Sequence, residues 1–226
     1  MQDTIAYGRQ VPIEFELHYD RSKINNRSRK KWPWIHLMTT ARVEAFSDGV
    51  IAIIITIMVL ELRPPHDASL AGLRPLLPVL GSYVLSYVFL GIYWSNHHHL
   101  LQAAQHVNGR VLWANLHLLF WLSLIPFVTA WMGENNFTTW PVALYGCVLL
   151  FAGIAYYILV RALLASHGNT LLAAALGSDF KGKISIVVYL VAIPLAFARP
   201  WVACLLYILG AIMWLIPDRR IERIVQ

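Results

Sequence analysis

The chain has 226 residues, of which 58% are hydrophobic and only 13% are charged, and its formal net charge is +6. Soluble domains carry about 25% charged residues, so this composition and a mean hydropathy of +0.57 exclude an ordinary soluble protein. The apolar runs are long and show no strand-like alternation of polar and apolar residues. We therefore predict an all-α, polytopic membrane protein rather than a β-barrel.

The distribution of apolar runs predicts three regions. The first forty residues are polar and lack the apolar segment of a signal peptide, so we expect a basic cytosolic arm over 1–40. A membrane domain of six helices is predicted over 41–218 and a cytosolic tail over 219–226. The predicted spans are 42–62, 75–95, 110–131, 139–162, 183–199 and 201–217. The last two are short and closely joined, so a re-entrant hairpin is the alternative for one of them.

Basic residues are distributed unequally between the two sides of this domain. With the N-terminus inside, fifteen Lys and Arg residues lie on the cytosolic side, and only Arg63, Arg74 and Arg199 lie outside. This asymmetry predicts a multi-pass protein of the cell membrane with both termini in the cytosol. Because topology accounts for the positive charge, we expect no nucleic-acid partner.

The first predicted span has ionisable residues beside its apolar core. Only twelve residues separate Asp48 from Glu61, or about 18 Å of helix, whereas the apolar core of a membrane is about 30 Å thick. A spanning helix must therefore extend back through Ser47 and Asp48. Ionisable groups at this depth usually face a protein interior or a watery cavity, so this segment is the first candidate for a functional site.

Helical periodicity divides this first span into two faces. At about 100° per residue the acidic residues Glu44 and Asp48 lie on one side. The other side carries mainly apolar or small residues: Arg42, Phe46, Gly49, Ile53, Thr56, Ile57 and Leu60. We expect Asp48 to be hydrogen-bonded within its own bundle. Direct contact of Asp48 with a permeating ion or proton is the alternative.

Polar residues at the ends of the second and third spans are the candidate partners of Asp48. They are Trp94, Asn96, His97, His98, His99, Asn115 and His117. Histidines are expected to donate to Asp48 or to act as pH-responsive surface groups. Zinc sites favour histidines four residues apart with a carboxylate or thiolate nearby, a spacing that this sequence lacks. We therefore predict no metal site and no cofactor.

The same segments resemble a known family. The motif Arg42-x-x-x-Phe46-Ser47-Asp48 is similar to the R-x-x-x-F-S-D signature that opens the first helix in the transmembrane protein 175 family. These are potassium-selective channels known from endolysosomes, with bacterial homologues. The segment Trp94-Ser95-Asn96-His97-His98 and parts of 108–134 also resemble the family, so the match covers roughly 40–135. Leu101 departs from the pattern, since relatives often carry Phe there.

The resemblance implies the architecture of the pore. Bacterial members of the family have one six-helix unit, assemble as homotetramers and lack a T-V-G-Y-G filter loop. Four copies of the first helix line the axis, and a hydrophobic constriction lies five residues after the signature aspartate. That position is Ile53 here, followed by Thr56 and Leu60, with Gly49 on the same face. The other motif residues are expected to form a structural network: Arg42, Phe46, Ser47, Asp48, Trp94, His97, His98 and Asn115.

These features together predict a potassium-selective leak channel with a hydrophobic gate and K⁺ as the permeant ion. A secondary transporter of cations or protons is the alternative, although the fifth predicted span offers no acidic or histidine ligand. An intramembrane enzyme is not expected, because a rhomboid-type G-x-S-G motif does not occur. Arg42 is expected to brace the motif through an ion pair within one subunit or between subunits.

Overall fold

The computed structural model describes residues 39–166 and 180–215. Its long helices are α1 Thr40–Leu60, α2 Leu77–Gln102, α3 Gly109–Ser123, α4 Ile125–Glu134, α5 Thr139–Leu164, α6 Phe180–Ala198 and α7 Pro200–Leu215, and a 3₁₀ helix, Leu70–Leu76, precedes α2. Regular structure in the described ranges is entirely helical, which confirms the predicted all-α class. The predicted arm over 1–40, apart from its last two residues, and the predicted tail over 219–226 lie outside the described residues.

Five segments of the described chain are long and apolar enough to cross a membrane. They are Thr40–Leu60, Leu70–Gln102, Gly109–Glu134, Thr139–Leu164 and Lys181–Ala198. The sixth apolar helix, α7, spans about 24 Å at about 1.5 Å per residue, which is shorter than an apolar core of about 30 Å. The described residues therefore fold as a multi-pass membrane protein, with five long spans and one shorter apolar helix among them.

The third predicted span, 110–131, is not a single helix. α3 ends at Ser123 and α4 begins at Ile125, with Leu124 between them. Pro126 causes this break, since proline has no N–H to donate and its ring clashes with the carbonyl one turn earlier. In the first turn of a new helix the missing donor is tolerated. The predicted span is still found as one membrane-crossing segment, Gly109–Glu134, but hydropathy did not register the break inside it.

The core of the bundle is built around α5. This helix packs against α3, α4, α6 and α7. Its buried side chains include Val142, Tyr145, Leu149, Ala152, Ala155 and Leu159. By contrast, α1 packs through one side against α2, α3 and α4. The buried residues of α1 recur every three or four positions: Val43, Ser47, Ile51, Ile54 and Met58. The other side of α1 is left uncovered in the protomer.

α5 and α7 approach each other closely at Gly146. The Tyr207 hydroxyl of α7 donates a hydrogen bond of 3.1 Å to the carbonyl of Val142. A Cβ atom at position 146 would overlap the phenol of Tyr207 and press against Ile193 of α6. The absence of a side chain at Gly146 therefore allows the three helices to meet.

We expect Gly146→Ala to destabilise the protein by about 1–3 kcal/mol, because the added methyl overpacks this contact. Thermal unfolding of the detergent-solubilised protein measures the effect. The matched control is Gly91→Ala in α2, where an added Cβ meets no other atom within 4 Å. This control should be neutral or slightly stabilising, because alanine has the higher helix propensity. Equal melting temperatures for the two variants would contradict the close packing at Gly146.

Candidate functional site

The uncovered face of α1 is the face that helical periodicity grouped together. Every residue of that group is exposed in the protomer: Arg42, Phe46, Gly49, Ile53, Thr56, Ile57 and Leu60. Ile53 is 59% exposed and Leu60 is 77% exposed, so these aliphatic side chains pack against little within their own bundle. This face is therefore available to another helix, to lipid or to a pore.

Thr56 is the one hydroxyl on this apolar face. It lies one turn after Ile53, and its Oγ1 donates a hydrogen bond of 2.9 Å to the Ile53 carbonyl. The hydroxyl proton is therefore used within the helix. The oxygen lone pairs remain directed away from that bond, so Thr56 presents an acceptor to a cation.

A groove between α1 and α4 runs beside this face. It is lined by Val50, Ile53, Ile54, Ile57, Glu61, Ser123, Pro126, Phe127 and Ala130. Most of these side chains are apolar, and Phe127 is 62% exposed. The groove extends the uncovered apolar surface from α1 onto α4, next to the break at Leu124.

The opposite face of α1 is held by a buried chain of hydrogen bonds. Asn115 of α3 donates through Nδ2 to Ser47 Oγ at 2.9 Å, and Ser47 donates to the Val43 carbonyl at 2.8 Å. The Oδ1 atom of Asn115 lies 2.7 Å from His97 Nε2 of α2. Since an amide oxygen only accepts, Nε2 carries the proton in this contact. The chain thus connects α2, α3 and α1.

This chain is shielded from solvent. Ser47 and His97 are 0% exposed and Asn115 is 2% exposed. A buried donor or acceptor without a partner costs about 1–3 kcal/mol, so each group depends on the next one in the chain. The arrangement accepts only one rotation of α1, because a turned helix would leave Asn115 and His97 facing aliphatic side chains.

Nearer the solvent, a second set of contacts ties the acidic side of α1 to α2. Trp94 Nε1 donates to Asp48 Oδ1 at 3.0 Å, and His98 Nδ1 lies 2.6 Å from Glu44 Oε1. The rings of Trp94 and His98 are stacked with centroids 5.9 Å apart. The donor to Asp48 is thus an indole, whereas the sequence analysis expected a histidine.

Other candidate residues lie away from Asp48. The Asn96 amide donates to the Ile92 carbonyl of its own helix, and His117 accepts from Trp121. The ring of His99 is tilted against that of His98, and its Nδ1 has no hydrogen-bond partner. Arg42 is exposed and forms no ion pair with any described residue of this protomer. Within the described ranges, the expected ion pair of Arg42 with Glu44 or Asp48 is therefore not formed.

The structure brings together three possible metal ligands that the sequence did not predict. One donor atom each from Glu44, Asp48 and His98 lies within 4.8 Å of the others, a spacing that could hold a metal ion. The spacing of histidines along one helix gave no sign of a metal site, because these donors come from two helices, α1 and α2. The sequence pattern that could have indicated this group is the pair Glu44 and Asp48, two acidic residues one helical turn apart at the end of a span.

We expect Asn115→Ala to lower the apparent free energy of unfolding by about 1–3 kcal/mol, since it leaves Ser47 and His97 without their partner. Chemical or thermal unfolding in detergent provides the measurement. Asn135→Ala is the control, because that exposed amide donates only to the Trp131 carbonyl of its own helix. If both variants were equally stable, the buried chain would not be holding α1.

Comparison with known proteins places these motifs in a family. A family model described as the endosomal/lysosomal potassium channel TMEM175 matches residues 42–126. A potassium channel of Chryseobacterium sp. (strain P1-3) is 52% identical over 187 residues, which cover 82% of this chain and 97% of the relative. A potassium channel of Streptomyces collinus is 32% identical over 125 residues, or 52% of this chain and 61% of that relative.

A solved structure has the same architecture. The crystal structure of a lysosomal potassium-selective channel TMEM175 homolog from Chamaesiphon minutus is similar with a TM-score of 0.70 and 26% identity, over 80% of this chain and 97% of that one. Two of these similarities extend over nearly the whole relative, and the family model matches the segment that carries the signature. The resemblance is therefore confirmed: this chain belongs to the TMEM175 family of potassium channels and is not an enzyme.

Proposed function

We propose that this chain forms a potassium-selective leak channel whose pore is lined by α1 from four copies. The channel lies in the cell membrane with both termini in the cytosol, as the distribution of basic residues favours. Membership of a potassium-channel family supports the activity. The observation that carries the proposal is the uncovered face of α1, which runs along a membrane-depth helix and combines aliphatic side chains with Gly49 and Thr56.

Several copies are needed because one helix face cannot enclose a path. Four copies of α1 around an axis would place the uncovered faces towards each other, which is the assembly that the family resemblance implies. The groove between α1 and α4 then offers an apolar contact surface for the neighbouring subunit beside Ile57 and Phe127. Arg42, exposed at the start of the same face, is available for an ion pair across that contact.

Selectivity in this arrangement comes from the cost of removing water. A ring of four Ile53 side chains offers no oxygen ligand, so an ion passes it hydrated or gives up part of its water for a short time. Potassium loses water at lower cost than sodium, and the Thr56 oxygens replace part of that hydration. When the ring narrows, the apolar segment from Ile53 to Leu60 closes the path by dewetting.

Acidic residues at the far end of α1 favour cations at the mouth. Glu61 is exposed at the end of the helix, and Asp67 is exposed in the loop that follows. The Ser69 backbone N–H and hydroxyl both donate to Asp67 at 2.9 Å, which lowers the pKa of this carboxyl. The lowered pKa favours the charged form of Asp67, which helps to concentrate cations there.

Ion flux into vesicles reconstituted with the purified protein tests the proposal. We expect rapid, non-saturating potassium flux down its gradient, and much slower sodium flux. Equal rates for the two ions, or no flux above empty vesicles, would contradict a potassium-selective channel. A saturable flux coupled to a second ion gradient would instead identify a secondary transporter.

Ile53→Asn should increase the potassium flux and reduce the preference for potassium over sodium, because a polar ring stays hydrated and binds either ion. The matched control is Val59→Asn on the same helix. Val59 is also exposed, at 46%, but it points away from the line through Ile53 and Leu60. If Ile53→Asn matched the wild type, or if both variants changed equally, Ile53 would not form the constriction.

A further inference from the structure

We propose that Glu44, Asp48 and His98 form a binding site for a divalent transition-metal ion, of which Zn²⁺ is the representative, and that the bound ion links α1 to α2. The site uses two carboxylates one turn apart on α1 and one imidazole on α2. It lies on the opposite side of α1 from Ile53, so it is separate from the proposed conduction path.

The geometry fits a single small ion. The three donor atoms lie within 4.8 Å of one another. Ligands that share a Zn²⁺ ion at about 2.0–2.2 Å lie roughly 3–4 Å apart, so the donors here are already close to the spacing that one ion requires. Two oxygens and one nitrogen leave a fourth, open position for water, as in three-ligand zinc sites.

The donor atoms have lone pairs available for a metal ion. His98 Nδ1 is shielded from solvent and forms no hydrogen bond. Although Glu44 Oε1 lies 2.6 Å away, the pair is an ion-pair contact without hydrogen-bond alignment. Asp48 receives the indole N–H of Trp94 on Oδ1, which leaves its second oxygen for an ion. An imidazole nitrogen and a carboxylate oxygen held this close are well placed to share a cation.

The local charge also favours a cation. Glu44 and Asp48 bring two negative charges together, and no Lys or Arg pairs with either of them in the described part of the chain. Glu44 is 20% and His98 is 32% exposed, so water screens these charges only in part. The imidazole selects the class of ion, because nitrogen ligands suit zinc and its neighbours, whereas potassium and magnesium prefer oxygen.

Trp94 acts as a positioning residue for the site. Its indole holds Asp48 through the hydrogen bond and supports His98 through the stacked ring. Outer contacts of this kind orient metal ligands and strengthen binding. The bound ion would add a link between α1 and α2 beside the buried chain through Asn115. If α1 lines the pore, as in the proposed function, this link restrains the helix that must move for the gate to open.

Isothermal titration of the detergent-solubilised full chain with Zn²⁺ tests the site without reference to ion flux. We expect one saturable Zn²⁺ per protomer and much weaker binding of Mg²⁺. Glu44→Gln and His98→Gln should each weaken Zn²⁺ binding by at least about tenfold. His66→Gln is the control, because His66 lies in an exposed loop away from the cluster and should leave binding unchanged.

Thermal unfolding without metal shows whether each variant is folded. If His98→Gln does not fold, Glu44→Gln still tests the site, because glutamine keeps the shape of the glutamate side chain. Added Zn²⁺ should raise the melting temperature of the wild type and of His66→Gln, but not of the two cluster variants. Equal Zn²⁺ binding by all variants, or equal affinity for Mg²⁺, would overturn the proposal. Potassium flux measured without Zn²⁺ tests the channel function separately, so the two failures are distinguishable.

Discussion

The hydrogen bond from Asn115 to Ser47 is the contact on which the orientation of α1 depends. Aliphatic packing alone fixes the rotation of a membrane helix weakly, since lipid tails compete with the neighbouring helix for the same side chains. A buried amide restricts the rotation of the helix far more strongly, because its donor and acceptor atoms must meet polar atoms. With Ser47 turned towards Asn115 and His97, the geometry of the helix leaves Ile53 and Leu60 uncovered. The outward face is therefore set by polar contacts on the inward one.

The N-terminal end of α1 combines two kinds of polar contact. The inner layer is neutral, buried and made of hydrogen bonds between Ser47, Asn115 and His97. The outer layer carries charge and contacts solvent in part, through Asp48 and Glu44. The inner layer gives α1 a single position, and the outer layer can respond to ions without disturbing it. This division allows a charged motif to sit at membrane depth without an unpaired buried charge.

Helical periodicity was sufficient to group the residues of the uncovered face, because 3.6 residues per turn places Ile53 and Leu60 on one line whatever the neighbours are. The break at Leu124 was missed although Pro126 signalled it, since the apolar run continues through it. The partner of Asp48 was out of reach for another reason. Whether Trp94 or a histidine donates depends on how α1 and α2 are rotated against each other, and one sequence does not contain that angle. The contact of Glu44 with His98 was not predicted for the same reason, because it also depends on the rotation of α1 against α2.

The hydrogen bond within α1 from Thr56 to Ile53 has a consequence for the proposed pore when water leaves it. A hydroxyl that donated its proton to water would lose that acceptor whenever the proposed pore lost its water. The unpaired donor would then make the closed, dewetted state less stable. Thr56 already donates to its own backbone, so withdrawal of solvent leaves only acceptor lone pairs unmatched. In the proposed pore, the Thr56 oxygen can therefore accept contact from an arriving ion without adding an unpaired donor to the dewetted state.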